Sequence, residues 1–126
     1  MVLAAAVALT GLVLAARWAR EGHGLAGLTL CGLTATAVSP FSWSHHWVWL
    51  GPLAVLAVLH ASRAQAVTLG LLTFAWPVHI LFGMDIHFPV LGISMLPGWH
   101  GLEALYGNAY LLVFAGTLLV ARKALR

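Results

Sequence analysis

Charge is what this sequence has least of. Of its 126 residues 7% are charged, six Lys and Arg against three Asp and Glu, where an ordinary globular domain is about a quarter charged. That scarcity weighs against soluble all-α packing, because no apolar segment carries a polar face broad enough to meet water. It also argues against a nucleic-acid surface. The net charge is +3, but the basic residues sit at segment ends and form no stripe with interleaved aromatics. The single cysteine, Cys31, excludes an internal disulfide. The first apolar stretch has no basic flank before it and no small-residue cleavage site after it, so it does not read as a signal peptide.

What is present is apolar sequence, 62% of the chain. Five segments stand out, at Val2–Ala16, Leu25–Val38, Trp47–Ala61, Ala66–Phe82 and Leu105–Ala121. They predict an all-α fold: a polytopic transmembrane helical bundle of about five spans, forming one region over residues 1–126. Several segments fall short of the ~20 residues a straight span prefers, which fits spans inside a bundle.

The basic residues set an orientation. Arg17 and Arg20 lie between segments one and two, Arg63 between three and four, and Arg122, Lys123 and Arg126 after segment five. With five spans these fall on one side, expected to be cytoplasmic, together with the carboxyl terminus. Ser39–His46 and the loop Gly83–Glu103 fall on the other side of a plasma membrane, with Asp85 and Glu103 and no Lys or Arg. This places residue 1 outside, an odd start for an independent protein. The chain is therefore expected to be the carboxyl-terminal part of a larger membrane protein.

Several patterns carry possible chemistry. Gly22-His-Gly-Leu-Ala-Gly27 has G-x-G-x-x-G spacing, but an apolar span precedes it and Trp47, not an acid, stands about 20 residues on. A turn between two helices accounts for it better. "SPFSWSHHWVWLGP", Ser39 to Pro52, holds three of six Trp and two of seven His. Neighbouring residues of a helix point about 100° apart, so His45 and His46 do not suit one metal, and no metal site is expected. One alternative is an aromatic belt at the membrane edge, a role that fits Trp49 best. The other is that a His held at that depth gives a hydrogen bond or proton to an anionic group there, where it would stabilise charge on a departing phosphate. Pro40 ends the second span by biasing Ser39 away from helix.

The remaining polar residues have milder readings. His60 and His79 lie near or within spans three and four, and intramembrane ionisable residues are functional suspects. Their depths differ, which weighs against haem bound between them. Asp85, His87, His100 and Glu103 share the outer loop, where a carboxylate could act as a base. Asn108 and Tyr110 open the last span, as a cap or facing a polar cavity.

"SPFSWSHHWVWLGPL", Ser39 to Leu53, resembles the signature region of glycosyltransferase family 87, the polyprenyl-phosphomannose-dependent α-mannosyltransferases that elaborate phosphatidylinositol mannosides and lipoglycans. "GLEALYGNAYLLV", Gly101 to Val113, is similar to that family's closing segment. The resemblance implies a GT-C fold with more than five spans and a lipid-linked sugar donor. It implies chemistry on the outer face with inversion at the sugar carbon, no cofactor, and a glycolipid acceptor. A carboxylate base in the family's first outer loop has no match here. Carried over, His46 or His45 would lie near the donor phosphate as the catalytic residue, and Ser44, Trp43 and Trp47 would shape the substrate pocket. The missing amino-terminal portion would be a required partner, so this chain alone is expected to be inactive. A scaffold or partner subunit without activity, and a haem-bearing electron-transfer subunit, are the alternatives from other classes.

Overall fold

The computed structural model describes residues 2–39, 44–74 and 108–124. Among the described residues every regular element is helical: α1 (Val2–Arg20), α2 (Gly24–Val38), a 3₁₀ helix (Ser44–Trp49), α3 (Leu50–His60), α4 (Arg63–Phe74) and α5 (Ala109–Ala124). The expected all-α class is met. The second half of the fourth segment, the Gly83–Glu103 loop with Asp85, His87, His100 and Glu103, and His79, Trp43 and Pro40 lie outside the described residues.

α1 and α2 form an antiparallel hairpin along their full length. Its turn has a specific geometry. Gly22 takes φ 89°, a conformation that costs a residue without Cβ little. The Gly22 amide donates to the Ala19 carbonyl at 3.2 Å and the His23 amide to the Trp18 carbonyl at 2.9 Å, a Schellman closure of α1. The glycine-spaced stretch is thus a turn, as expected: Gly22 makes the turn, and Gly27 packs on α1, where an added Cβ would sit 2.8 Å from the Ala15 carbonyl. Gly11 faces Thr34 in the same close manner. Small residues therefore let the two backbones approach, as they do between helices in lipid.

α2 is the centre of the bundle, touching α1, the 3₁₀ helix, α3 and α5. Its buried face mixes Leu30 and Leu33 with Gly27, Gly32, Thr29, Thr34 and Thr36. Each of these threonines lies within hydrogen-bond reach of the carbonyl four residues before it, at 2.7 to 3.0 Å, which satisfies a buried hydroxyl within its own helix. The outer surface is the reverse. Val2, Leu9, Leu28, Val58, Val67, Leu71 and Leu119 are all more than half exposed. Small and hydroxylated residues thus share the interior with leucines, while many other large aliphatics lie outside.

Two boundaries differ from expectation. α1 runs on to Arg20, so Arg17 and Arg20 occupy its last turn, and Arg122 and Lys123 likewise lie in the last turn of α5. Cations there oppose the partial negative charge of the terminal carbonyls, which extends each helix beyond its apolar run. The edge segment expected at Ser39–His46 is helical from Ser44 onward. Pro52 explains why the 3₁₀ helix passes into α3 here: its missing N–H falls in the first turn of α3, where donors have no helical partner. Ser39 is extended, at φ −62° and ψ 133°, the geometry required of a residue before proline.

α1 is long and apolar enough to cross a membrane. Its 19 residues span ~28 Å, close to the ~30 Å of a hydrocarbon core. The Gly24–Val38 helix and the continuous run His46–His60 are apolar but shorter.

Candidate functional site

Helix directions alternate along the chain, so the bundle has two ends. At one, the Trp18 indole N–H donates to the Ala121 carbonyl at 3.3 Å, joining the ends of α1 and α5. Arg17, Arg20, Arg63, Arg122 and Lys123 collect there. At the other end sits the 3₁₀ helix with the Ser-His-His-Trp motif.

The motif is fixed to α2 in two places. Thr36 Oγ1 lies 2.9 Å from the His46 carbonyl oxygen and 3.0 Å from that of Gly32, so one hydroxyl proton serves both. Gly32 lies directly under the indole of Trp49, and a Cβ there would fall within the ring's own space. Trp47 and Leu50, three residues apart, turn inward and are 3% and 4% exposed, as the three-residue period of a 3₁₀ helix requires. The Trp47 ring meets Tyr110 of α5 at 5.3 Å between centroids, with planes tilted by 52°. The Tyr110 hydroxyl in turn donates to the Thr73 carbonyl at 3.4 Å. Four helical elements therefore converge beneath the motif.

The sequence-derived site residues separate in this geometry. His46 is exposed on the outer side of the platform, with its backbone held by Thr36. Trp47 is buried in the platform itself. Trp49 is half-buried over Gly32, so part of its ring is engaged in packing rather than standing free in a belt. Ser44 and His45 belong to the 3₁₀ backbone. With 3.0 residues per turn, His45 and His46 are about 120° apart in register. Trp43 lies outside the described residues. His60 is exposed at the opposite end of the bundle, far from the motif.

Trp47, Thr73 and Asn108 are all buried. Trp47 Nε1 and Thr73 Oγ1 have no hydrogen-bond partner among the described residues. Buried polar atoms are paired in the great majority of cases, and exceptions concentrate at functional or strained sites. Asn108 stands at the start of α5, its backbone carbonyl accepting from the Leu112 amide at 2.9 Å.

Thr36 and Gly32 hold the motif structurally, and neither stood among the residues expected at the site. The signal was present as "CGLTATAV", Cys31 to Val38, where Gly and Thr interrupt an apolar span. Such residues mark a close helix contact rather than a lipid-facing surface. Among the described residues no three His, Cys, Asp or Glu side chains come together to hold a metal.

No family model matches the chain, and no solved structure matches it. Curated proteins do match segments of it. A polyprenol-phosphate-mannose-dependent alpha-(1-2)-phosphatidylinositol mannoside mannosyltransferase of Mycolicibacterium smegmatis is 44% identical over 48 residues, 38% of this chain and 11% of that protein. The protein of the same description from Mycobacterium tuberculosis is 40% identical over 70 residues, 51% of this chain and 16% of its own length. A polyprenol-phosphate-mannose-dependent alpha-(1-2)-phosphatidylinositol pentamannoside mannosyltransferase of M. smegmatis is 35% identical over 60 residues, 48% of this chain and 14% of the relative. The matched stretches thus span between 11% and 16% of the length of these relatives. Over 48 to 70 residues, this chain is similar to mannosyltransferases that depend on polyprenol phosphate mannose.

Proposed function

We propose that the chain is a membrane-embedded part of a GT-C-type mannosyltransferase of glycosyltransferase family 87, and that the 3₁₀ platform lies at its donor site. The observation that carries this reading is the 35–44% identity to three mannosyltransferases with one donor in their names. The outward aliphatic surface supports a bundle in lipid, where helices associate through small and polar residues. The gathering of basic residues at one end supports a cytoplasmic face there and an outer face at the motif.

The reaction would move mannose from polyprenyl phosphate mannose to a hydroxyl of a phosphatidylinositol mannoside or lipoglycan. The bond between the sugar carbon and the acceptor oxygen forms as the bond to the phosphate oxygen breaks, and the hydroxyl proton passes to a base. His46 suits the leaving side. It is exposed, at the outer end, on a backbone that Thr36 and the Gly32–Trp49 contact hold still. There it would donate a hydrogen bond or proton to the departing phosphate. His45, Ser44, Trp43 and Trp47 complete the proposed site, Trp47 by supporting the surface from beneath. The base is expected from a segment beyond the matched stretches. A scaffold without chemistry is the competing proposal, and the same experiment decides between them.

That experiment is mannose transfer from labelled polyprenyl phosphate mannose in a host lacking the activity, with this segment placed in a complete enzyme. His46→Ala should lower turnover about 10²-fold or more, the usual size of a general acid's contribution, with membrane insertion unchanged. Unchanged turnover would remove His46 from the mechanism and favour the scaffold.

A further inference from the structure

From the end of the bundle remote from the motif, and running as far as Leu72 and Leu112, the helices leave a cleft of about 950 Å³, at the upper end of the roughly 300–1,000 Å³ usual for ligand sites. Its walls come from all five α-helices and are mostly apolar, with Leu30, Leu53, Leu69 and Val113 among them. Two imidazoles, His23 and His60, also line it. Five cations flank the residues at its mouth in sequence, and none of them lines the cleft itself. Arg17 and Arg20 precede His23, Arg63 follows His60 by three residues, and Arg122 and Lys123 follow Ala121, which lines the cleft. All five cations are exposed, and Glu21 is the one carboxylate among the described residues.

We infer that this cleft seats an anionic phospholipid, with an acyl chain along the α2, α4 and α5 walls and its phosphate at the His23–His60–Arg63 rim. The interior is suited to hydrocarbon and would gain nothing from a free anion. The rim is suited to negative charge and would gain nothing from a neutral lipid. Basic residues clustered beside a membrane segment attract anionic lipid, and their aliphatic stems can lie on apolar walls while the charged heads reach out. The mouth lies at the end of α2 opposite the motif, while the inner wall reaches Leu72 and Leu112, near Thr73 and Tyr110 of the platform. The inference rests on the membrane part of the proposed function and not on mannosyl transfer.

The test uses the purified chain in phosphatidylcholine vesicles, with insertion checked by resistance to alkaline carbonate. Trp18 lines the cleft and reports on it. Phosphatidylglycerol brominated on its acyl chains should quench tryptophan emission at a several-fold lower mole fraction than equally brominated phosphatidylcholine. Gly116→Phe should abolish that preference with helicity unchanged, since Gly116 lines the cleft and a Cβ there meets nothing within 4 Å. Should that variant lose helicity, His60→Gln with Arg63→Gln decides instead, and should reduce the preference several-fold. Equal quenching by the two lipids would overturn the inference. So would a preference that survives either altered cleft, because the lipid would then lie on the outer surface. A chain released by carbonate would overturn the membrane reading and this inference together. Mannosyl transfer is not measured, so failure of that reading leaves a positive result standing.

Discussion

The two ends of α2 are built on opposite plans. At its carboxyl end, near Gly32 and Thr36, the motif is packed until no room remains: an indole on a glycine, a hydroxyl shared between two carbonyls, and an aromatic pair to α5. At its amino end the helices part around an open cleft, held at its edge by the Trp18 hydrogen bond to Ala121 and the turn at Gly22. The difference teaches where precision is needed. Under the proposed function, a His meeting a reacting phosphate has to be held within a fraction of an ångström, and a rigid base would achieve that. A lipid chain, being flexible, needs only volume and a charged mouth.

The largest test of this contrast is Gly32→Ala. One methyl group at Gly32 falls on the Trp49 ring, which is a large rigid group whose movement would take the 3₁₀ helix with it. The expected cost is about 3 kcal/mol, at the upper end of the usual overpacking penalty. It should show as a lowered unfolding temperature in detergent. Gly27→Ala should come next at about 2 kcal/mol, because the obstacle is backbone, the Ala15 carbonyl at 2.8 Å. A variant Gly32→Ala as stable as the parent would mean that Trp49 does not hold the platform.

Thr36→Val is smaller and more specific. It keeps the side chain's shape and removes the hydroxyl that reaches the His46 carbonyl. The expected cost is about 1–2 kcal/mol, since a partly buried acceptor loses its donor. Amide exchange should quicken in residues 44–49 and stay unchanged at the α1–α2 turn. In a complete enzyme, turnover should fall with little change in donor KM, because Thr36 positions His46 without touching substrate.

Much of the fold was legible because its causes are local. The apolar runs gave the helices, Pro40 gave the extended Ser39, and charges at segment ends gave the common basic end. The platform was hidden because its causes are contacts between distant positions. Nothing near Trp47 announces Tyr110, and nothing near His46 announces Thr36. The motif's residue types suggested that Trp43 and Trp47 shape a pocket and that Trp49 stands in a belt. The structure places Trp47 inside, with Gly32 and Thr36 as the supports the reading lacked. Ser62 to Gln65 was a plainer omission. S-x-x-Q is a capping box by sequence alone, and the structure makes it, with the Ser62 amide on Gln65 Oε1 at 3.0 Å and the Gln65 amide on Ser62 Oγ at 3.3 Å.

That box gives a test confined to the open end. Ser62→Ala should cost about 1 kcal/mol, the typical loss of an N-cap. The effect should appear as faster exchange at the first amides of α4, with the 3₁₀ helix unaffected. Exchange that quickens at both ends together would show that the bundle opens as one unit, and the contrast between the ends would then be one of appearance rather than of stability.

The smallest expected effect has the opposite sign and sharpens the contrast most. Gly70 and Gly116 lie inside α4 and α5, and a Cβ at either meets nothing within 4 Å. Gly116 borders the cleft, while Gly32 lies under Trp49. The same substitution, Gly to Ala, should therefore destabilise at Gly32 and stabilise at Gly116. An alanine in a helix interior loses less backbone freedom on folding, so Gly116→Ala should gain about 0.5 kcal/mol, with Gly70→Ala similar. The reading is a slightly raised unfolding temperature with unchanged helicity. If Gly116→Ala instead costs stability, some group meets that face of α5, and the cleft is not open space. If Gly32→Ala and Gly116→Ala move stability in opposite directions, the difference between the packed motif and the open basic end is energetic as well as geometric.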